Sequence, residues 1–237
     1  MLLDEFRSHD PNDYIAGFPD HPHRGFETVT TGRMRHGDNQ GNTGRLGLGS
    51  VQWMTAGRGI VRSEFPEQQE GLMWGFQLWV NLPRSDKMTA PRYQDIQAGD
   101  VPEVVLGPGA RVRVLVGNVD GVAGPVTNVA TEPLYFDLHL DAGASYSAVV
   151  PSGHNVFAYV YQGDAHVGAA ATSIARGELA RTTHGATLPV TAGAHGARLI
   201  IVGGRPLDEP VARYGPFVMN TPDEIRQAFA DYQAGRL

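Results

Sequence analysis

The segment His21-Pro22-His23 holds the residues of this chain best suited to chemistry. In an extended strand, positions i and i+2 project to the same face. Pro22 pushes His21 away from helical backbone and toward an extended conformation. The two imidazoles are therefore expected to converge on one point, which is half of a metal site. The other half requires a second strand. Arg62 and Glu64 repeat the i, i+2 spacing at the end of a segment running from Gln52. Glu64 is a plausible ligand. Arg62 is not, because a guanidinium has no lone pair to give a metal and stays protonated in proteins.

These pairs need strands to carry them, and the pattern supplies strands throughout. Alternation and β-branched content predict strands over 27–31, 50–55, 72–82, 111–116, 134–140, 145–151, 156–162 and 199–203. Gly, Pro, Asn and Asp fill the intervals. Short strands with regular turn signals predict an all-β chain of sandwich or barrel type. Phe26–Gly32 and Val156–Gly163 echo one another weakly, each a strand running into glycine behind a histidine, His23 or His154. The echo suggests two similar barrels, residues 1–117 and 118–237, divided where Gly117, Gly121, Gly124 and Pro125 cluster. One helix is expected, over 222–234. Thr221-Pro222-Asp223-Glu224 is a capping box, Ile225, Ala228, Phe229 and Tyr232 share a face, and Gly235 ends the helix.

Composition removes several classes of function. The 237 residues include 30 glycines, well above the usual ~7%, and 16 prolines, which suits many tight turns. No cysteine is present, so disulfides and thiolate metal sites are excluded. The net charge is −6 and no basic run occurs, which argues against direct nucleic-acid binding. No apolar stretch approaches the ~20 residues of a membrane span, and the acidic start is no secretory signal. A soluble cytoplasmic protein is expected.

The motifs resemble the pirin family. Similar blocks are Gly17-Phe-Pro-Asp-His-Pro-His-Arg-Gly-Phe-Glu-Thr-Val29, Gly41-Asn-Thr-Gly44, Val51-Gln-Trp-Met-Thr-Ala-Gly-Arg-Gly-Ile60, Leu78-Trp-Val-Asn-Leu82, Gly203-Gly-Arg-Pro-Leu207 and Tyr214-Gly-Pro-Phe-Val-Met-Asn-Thr221. The resemblance implies a bicupin, two cupin-type antiparallel β-barrels, with Fe(2+) or another divalent metal in the first. It implies ligands at His21, His23, position 62 and Glu64, with no metal in the second barrel. Three departures fall in the metal domain. Arg62 stands where the family has a histidine. The chain starts where relatives already carry an additional N-terminal segment. Thr31 reaches Gly32 early, as if the following hairpin were shortened.

His21, His23 and Glu64 alone would make a two-histidine, one-carboxylate face suited to non-haem Fe(II). Alternatively, Arg62 pairs with Glu64 in a metal-free pocket, or swings outward and leaves three ligands in place. The resemblance implies two uses. One is a quercetin (flavonol) 2,3-dioxygenase-like oxygenase, with Glu64 as ligand and base toward a flavonol-like substrate. The other is a non-catalytic regulator that binds a transcription factor or metabolic enzyme. A monomer is expected. Glu27 is a candidate hydrogen-bond partner for His23. His36 is expected to face solvent. His139, His154, His166, His184 and His195 are expected to be surface or hydrogen-bonded histidines, and Trp53, Trp74 and Trp79 core or pocket wall.

Overall fold

The computed structural model describes residues 1–127, 129–182 and 185–237; His184 lies outside the described residues. The fold is two cupin-type units built almost wholly of antiparallel strands. By contacts, unit one comprises Met1–Gly99 with Asp208–Leu237, and unit two comprises Asp100–Leu207.

Unit one begins with nine strands: β1 (Leu2–Ser8), β2 (Phe18–His23), β3 (Phe26–Thr31), β4 (Met34–Asp38), β5 (Thr43–Leu46), β6 (Val51–Thr55), β7 (Ile60–Pro66), β8 (Met73–Asn81) and β9 (Arg92–Ile96). They form a five-stranded sheet, β1-β8-β3-β6-β9, and a four-stranded sheet, β2-β7-β4-β5. β2 contains two prolines, yet it is a strand, because it lies at the edge of its sheet and pairs only with β7. Leu2–Ser8, β4, β5 and β9 were not expected from alternation, whereas β7 is the second strand that the Arg62–Glu64 spacing called for.

Unit two holds β10 (Glu103–Gly107), β11 (Ala110–Val116), the short β12 (Asn118–Val119) and β13 (Val122–Ala123), β14 (Leu134–Leu140) and β15 (Ser145–Val149). It continues with β16 (Asn155–Val167), β17 (Thr172–Ala175), β18 (Leu179–Arg181) and β19 (Thr187–Gly204). The main order is β10-β11-β14-β19-β16-β17. The long strands β16 and β19 run well past the segments expected over 156–162 and 199–203. Bulges after Val160 and Gly163 bend their pairing, as an extra residue on one strand does. Val112, Phe136, Leu138, Val160, Leu199 and Ile201 are among the side chains of the core these strands enclose.

The division differs from a boundary at 117/118. β10 and β11 extend the sheet of the second unit, because β11 pairs with β14 along its length. The chain then returns to unit one through β20 (Ala212–Tyr214), β21 (Phe217–Met219) and helix α1 (Pro222–Gln233). The capping box at Thr221 and Glu224 is present. Ile225 and Ala228 pack on Phe217 and Met219. No helix of the described residues is long and apolar enough to cross a membrane.

The returning segment is locked to the first barrel by polar contacts. Arg24 Nη1 pairs with Asp231 at 2.8 Å, and Val218 N donates to Arg24 O at 3.0 Å. Gly25 adopts φ +87°, and any Cβ there would collide with Val218 O. Lys87, the chain's one lysine, is 2% exposed and donates to Gly25 O, Asn81 Oδ1 and Val218 O at 2.8–2.9 Å. Burial pushes its pKa down to about 8, against the pull of Glu209 and Glu224. Lys87→Met is expected to strand three acceptors and cost about 2–4 kcal/mol in a denaturant titration. A loss below about 0.5 kcal/mol would show that water replaces the ammonium without penalty.

Candidate functional site

The two sheets of unit one face each other across a polar interior. On β7, Ile60, Arg62 and Glu64 are buried, while Val61, Ser63 and Phe65 are partly exposed, so strand parity sends both charged side chains inward. β2 lies beside them, with His21 opposite Arg62 and His23 opposite Ile60. A register shift between Phe18 and His21 accompanies this approach. The opposing sheet presents two cross-strand rows, Met54–Thr28–Trp79 and Gln52–Thr30–Gln77.

Arg62 is fully buried and does not swing outward. Its Nη1 donates to Thr28 Oγ1 at 3.0 Å and Gln52 Oε1 at 3.4 Å, and lies 3.2 Å from Met54 Sδ. Its Nη2 is ion-paired to Glu64 Oε1. Glu64 also accepts from Thr30 Oγ1 at 3.4 Å and from Gln77 Nε2 at 3.2 Å. Trp79 Nε1 donates to Gln77 Oε1 at 2.8 Å and fixes which way that amide faces. A buried ion pair survives its desolvation cost only when such hydrogen bonds surround it.

The histidines are placed as the spacing predicts, side by side, with ring centroids 4.7 Å apart and planes perpendicular. His21 Nδ1 lies 2.7 Å from Pro19 O. A carbonyl can only accept, so Nδ1 carries the proton and Nε2 keeps its lone pair. His23 is 2% exposed, and neither ring nitrogen finds a partner among the described residues. Burial lowers its pKa well below the usual value, and the Arg62 charge and the neighbouring His21 add to this, so the ring is neutral near pH 7. Phe26 and Trp79 pack perpendicular to it, with ring centroids 5.1 and 5.6 Å away.

These groups open on a cavity of about 260 Å³. Phe6, Phe18, Met34, Trp79 and Pro216 make its walls, His21, His23, Glu64 and Gln77 its polar points, and Asp4 also lines it. Arg213 lies over Trp79 at 5.3 Å.

The donor set does not fit the implied metal centre. Among the described residues no three His, Cys, Asp or Glu side chains come together as a metal cluster. Two imidazoles are available, but the carboxylate that should complete the face is held by a guanidinium, a fixed positive charge where a cation would sit.

Two expectations need correction. His36 does not face solvent: it is 4% exposed on β4, opposite Glu64. Its Nε2 meets Asp95 Oδ2 at 3.2 Å and its ring stacks on Tyr93. Gly44 permits this, since a Cβ there would strike the imidazole. Glu27 does not support His23. It sits on β3, in the other sheet, and accepts from Thr55 Oγ1 at 2.7 Å; burial raises its pKa. Thr28, Thr30, Gln52 and Gln77 were missed. Their signal was polarity at the same strand parity as Met54 and Trp79.

Two antiparallel barrels, the first with a histidine-bearing interior, define a two-domain cupin. The chain belongs to the pirin family: the pirin family model matches residues 1–80 and the pirin C-terminal cupin domain model residues 135–237. It is 49% identical over 245 residues to a candidate quercetin 2,3-dioxygenase of Pseudomonas aeruginosa, covering 100% of this chain and 86% of that one. Human pirin is 40% identical over 240 residues, covering 98% and 80%. The crystal structure of a quercetin 2,3-dioxygenase from Acinetobacter baumannii superposes with a TM-score of 0.93 at 35% identity, covering 100% of this chain and 85% of that one.

Proposed function

We propose that this chain is a pirin-family binding protein of the quercetin 2,3-dioxygenase-like branch. Its first-barrel pocket receives a small, planar phenol of flavonol-like chemistry as a neutral molecule. The observation behind this reading is the buried Arg62–Glu64 pair beside the two histidines. In a metal-dependent oxygenase, Fe(2+) or another divalent ion held by His21, His23 and Glu64 would orient the substrate through its oxygens. Here Arg62 is paired to Glu64 Oε1 and takes that oxygen away from a metal. What remains is an aromatic slot with unmet hydrogen-bonding capacity at His23. A phenolic hydroxyl satisfies it, and the aromatic walls match a planar ring. The names of close relatives keep oxygenase chemistry as the second reading. Arg62 favours the first, in which pocket occupancy serves binding to a protein partner.

Anaerobic iron loading followed by elemental analysis separates the two. Metal content is expected to fall far short of stoichiometric. Quercetin is expected to saturate the metal-stripped protein, read by quenching of tryptophan fluorescence. His23→Phe is expected to weaken that binding by about tenfold, as loss of one buried hydrogen bond implies. Stoichiometric iron with oxygen-consuming turnover of quercetin would overturn the proposal.

A further inference from the structure

We propose that the second barrel carries an oxyanion-binding site of its own, a cavity of about 220 Å³ lined by Arg111, His139 and Arg198. Strand parity builds it. Val112, Leu138 and Leu199 enter the core of the second unit, so their neighbours Arg111, His139 and Arg198 take the opposite face of the sheet. The register aligns them in one row across adjacent strands: Arg111 opposite His139, His139 opposite Arg198, and Arg198 opposite Gln162. Neighbouring strands lie roughly 4.8 Å apart, so the arginine backbones are about 10 Å apart with the imidazole between them. Two guanidiniums at that spacing can grip one small anion from both sides.

The local charges leave those guanidiniums available. The Arg198 guanidinium makes no hydrogen bond or ion pair among the described residues; its backbone serves the ladder. Arg111 Nε approaches Glu103 only at 3.6 Å, and both side chains are about half exposed, a contact of little energetic weight. Asp137, the acid of the next row, is already engaged. It accepts from Tyr161 Oη at 2.6 Å, meets His139 Nε2 at 3.1 Å, and lies 3.9 Å from Arg113. His139 Nδ1 has no partner among the described residues. Asp141 is the one carboxylate lining the cavity. A cationic hollow on a chain of net charge −6 is not a by-product of a basic surface.

Guanidinium forks match carboxylates and phosphates. The volume admits a small dianion, a phosphate monoester or a short dicarboxylate, and is too small for a nucleotide. Inorganic phosphate and succinate, titrated separately into the full chain at low ionic strength and followed by amide NMR shifts, test the site. At least one is expected to saturate, with shifts centred on Arg111, His139 and Arg198; the one that does so identifies the anion class. Arg198→Gln is expected to weaken binding at least tenfold, and Arg226→Gln on α1 to leave it unchanged, both with the parent's melting curve. No saturation by either anion, or equal binding by Arg198→Gln, would overturn the site.

Discussion

Arg62→His is expected to raise the iron content of the pocket to about one ion per chain, well above that of the parent. Position 62 lies on the inward face of β7, opposite His21 and two residues from Glu64. An imidazole there adds a neutral nitrogen donor and removes a fixed positive charge in the same step. It also frees Glu64 Oε1, which Arg62 now occupies. Changes in the surroundings of a bound metal alone shift affinity by about 10–100-fold, so gaining a ligand and losing a cation should exceed about a hundredfold. Competition with a chromophoric chelator under anaerobic conditions measures it directly. Should the variant fold normally and bind iron no better than the parent, Arg62 is not what limits the site.

Glu64→Ala is expected to be the most destabilising single change in the pocket. It leaves a fully buried guanidinium with neutral partners only, Thr28, Gln52 and Met54. Breaking a buried ion pair from one side costs about 3–5 kcal/mol, a fall in melting temperature on the order of 10 °C for a chain of this size. The double variant Arg62→Met with Glu64→Met should recover most of that loss, because it removes both charges and keeps volume in the barrel. A melting curve unchanged by Glu64→Ala, or a double variant worse than the single one, would mean that the two charges are not energetically coupled.

The strand-bearing core was legible in the sequence because alternation and β-branching report burial on one face. Leu134–Leu140 appears at its expected limits, and the capping box fixed the start of α1 at Pro222. β4 was not legible as a strand, and β2 was legible only around His21–His23, where the spacing and Pro22 implied extended backbone. β2 carries prolines that only an edge position tolerates. β4 reads Met-Arg-His-Gly-Asp, with its glycine and aspartate resembling a turn. The histidine pair was visible from spacing alone. The fate of Arg62 was not, because it depends on Thr28, Gln52 and Met54, which belong to the facing sheet. No local pattern reveals which side chains meet across a barrel. His36 was misread for the same reason: its burial rests on Tyr93 and Asp95, far along the chain.

The return of residues 208–237 to the first unit has a consequence for synthesis. The ribosome releases the histidine strand early, yet Pro216 of the pocket wall, Val218 beneath Lys87 and Asp231 on Arg24 emerge only after the whole second unit has been made. Until then the first barrel exposes a seam of unpaired polar groups and an uncovered apolar edge. The nascent chain therefore cannot hold a mature pocket during translation. A transcript truncated before residue 208 would yield a well-formed second barrel attached to a first one that chaperones and proteases still recognise as unfinished.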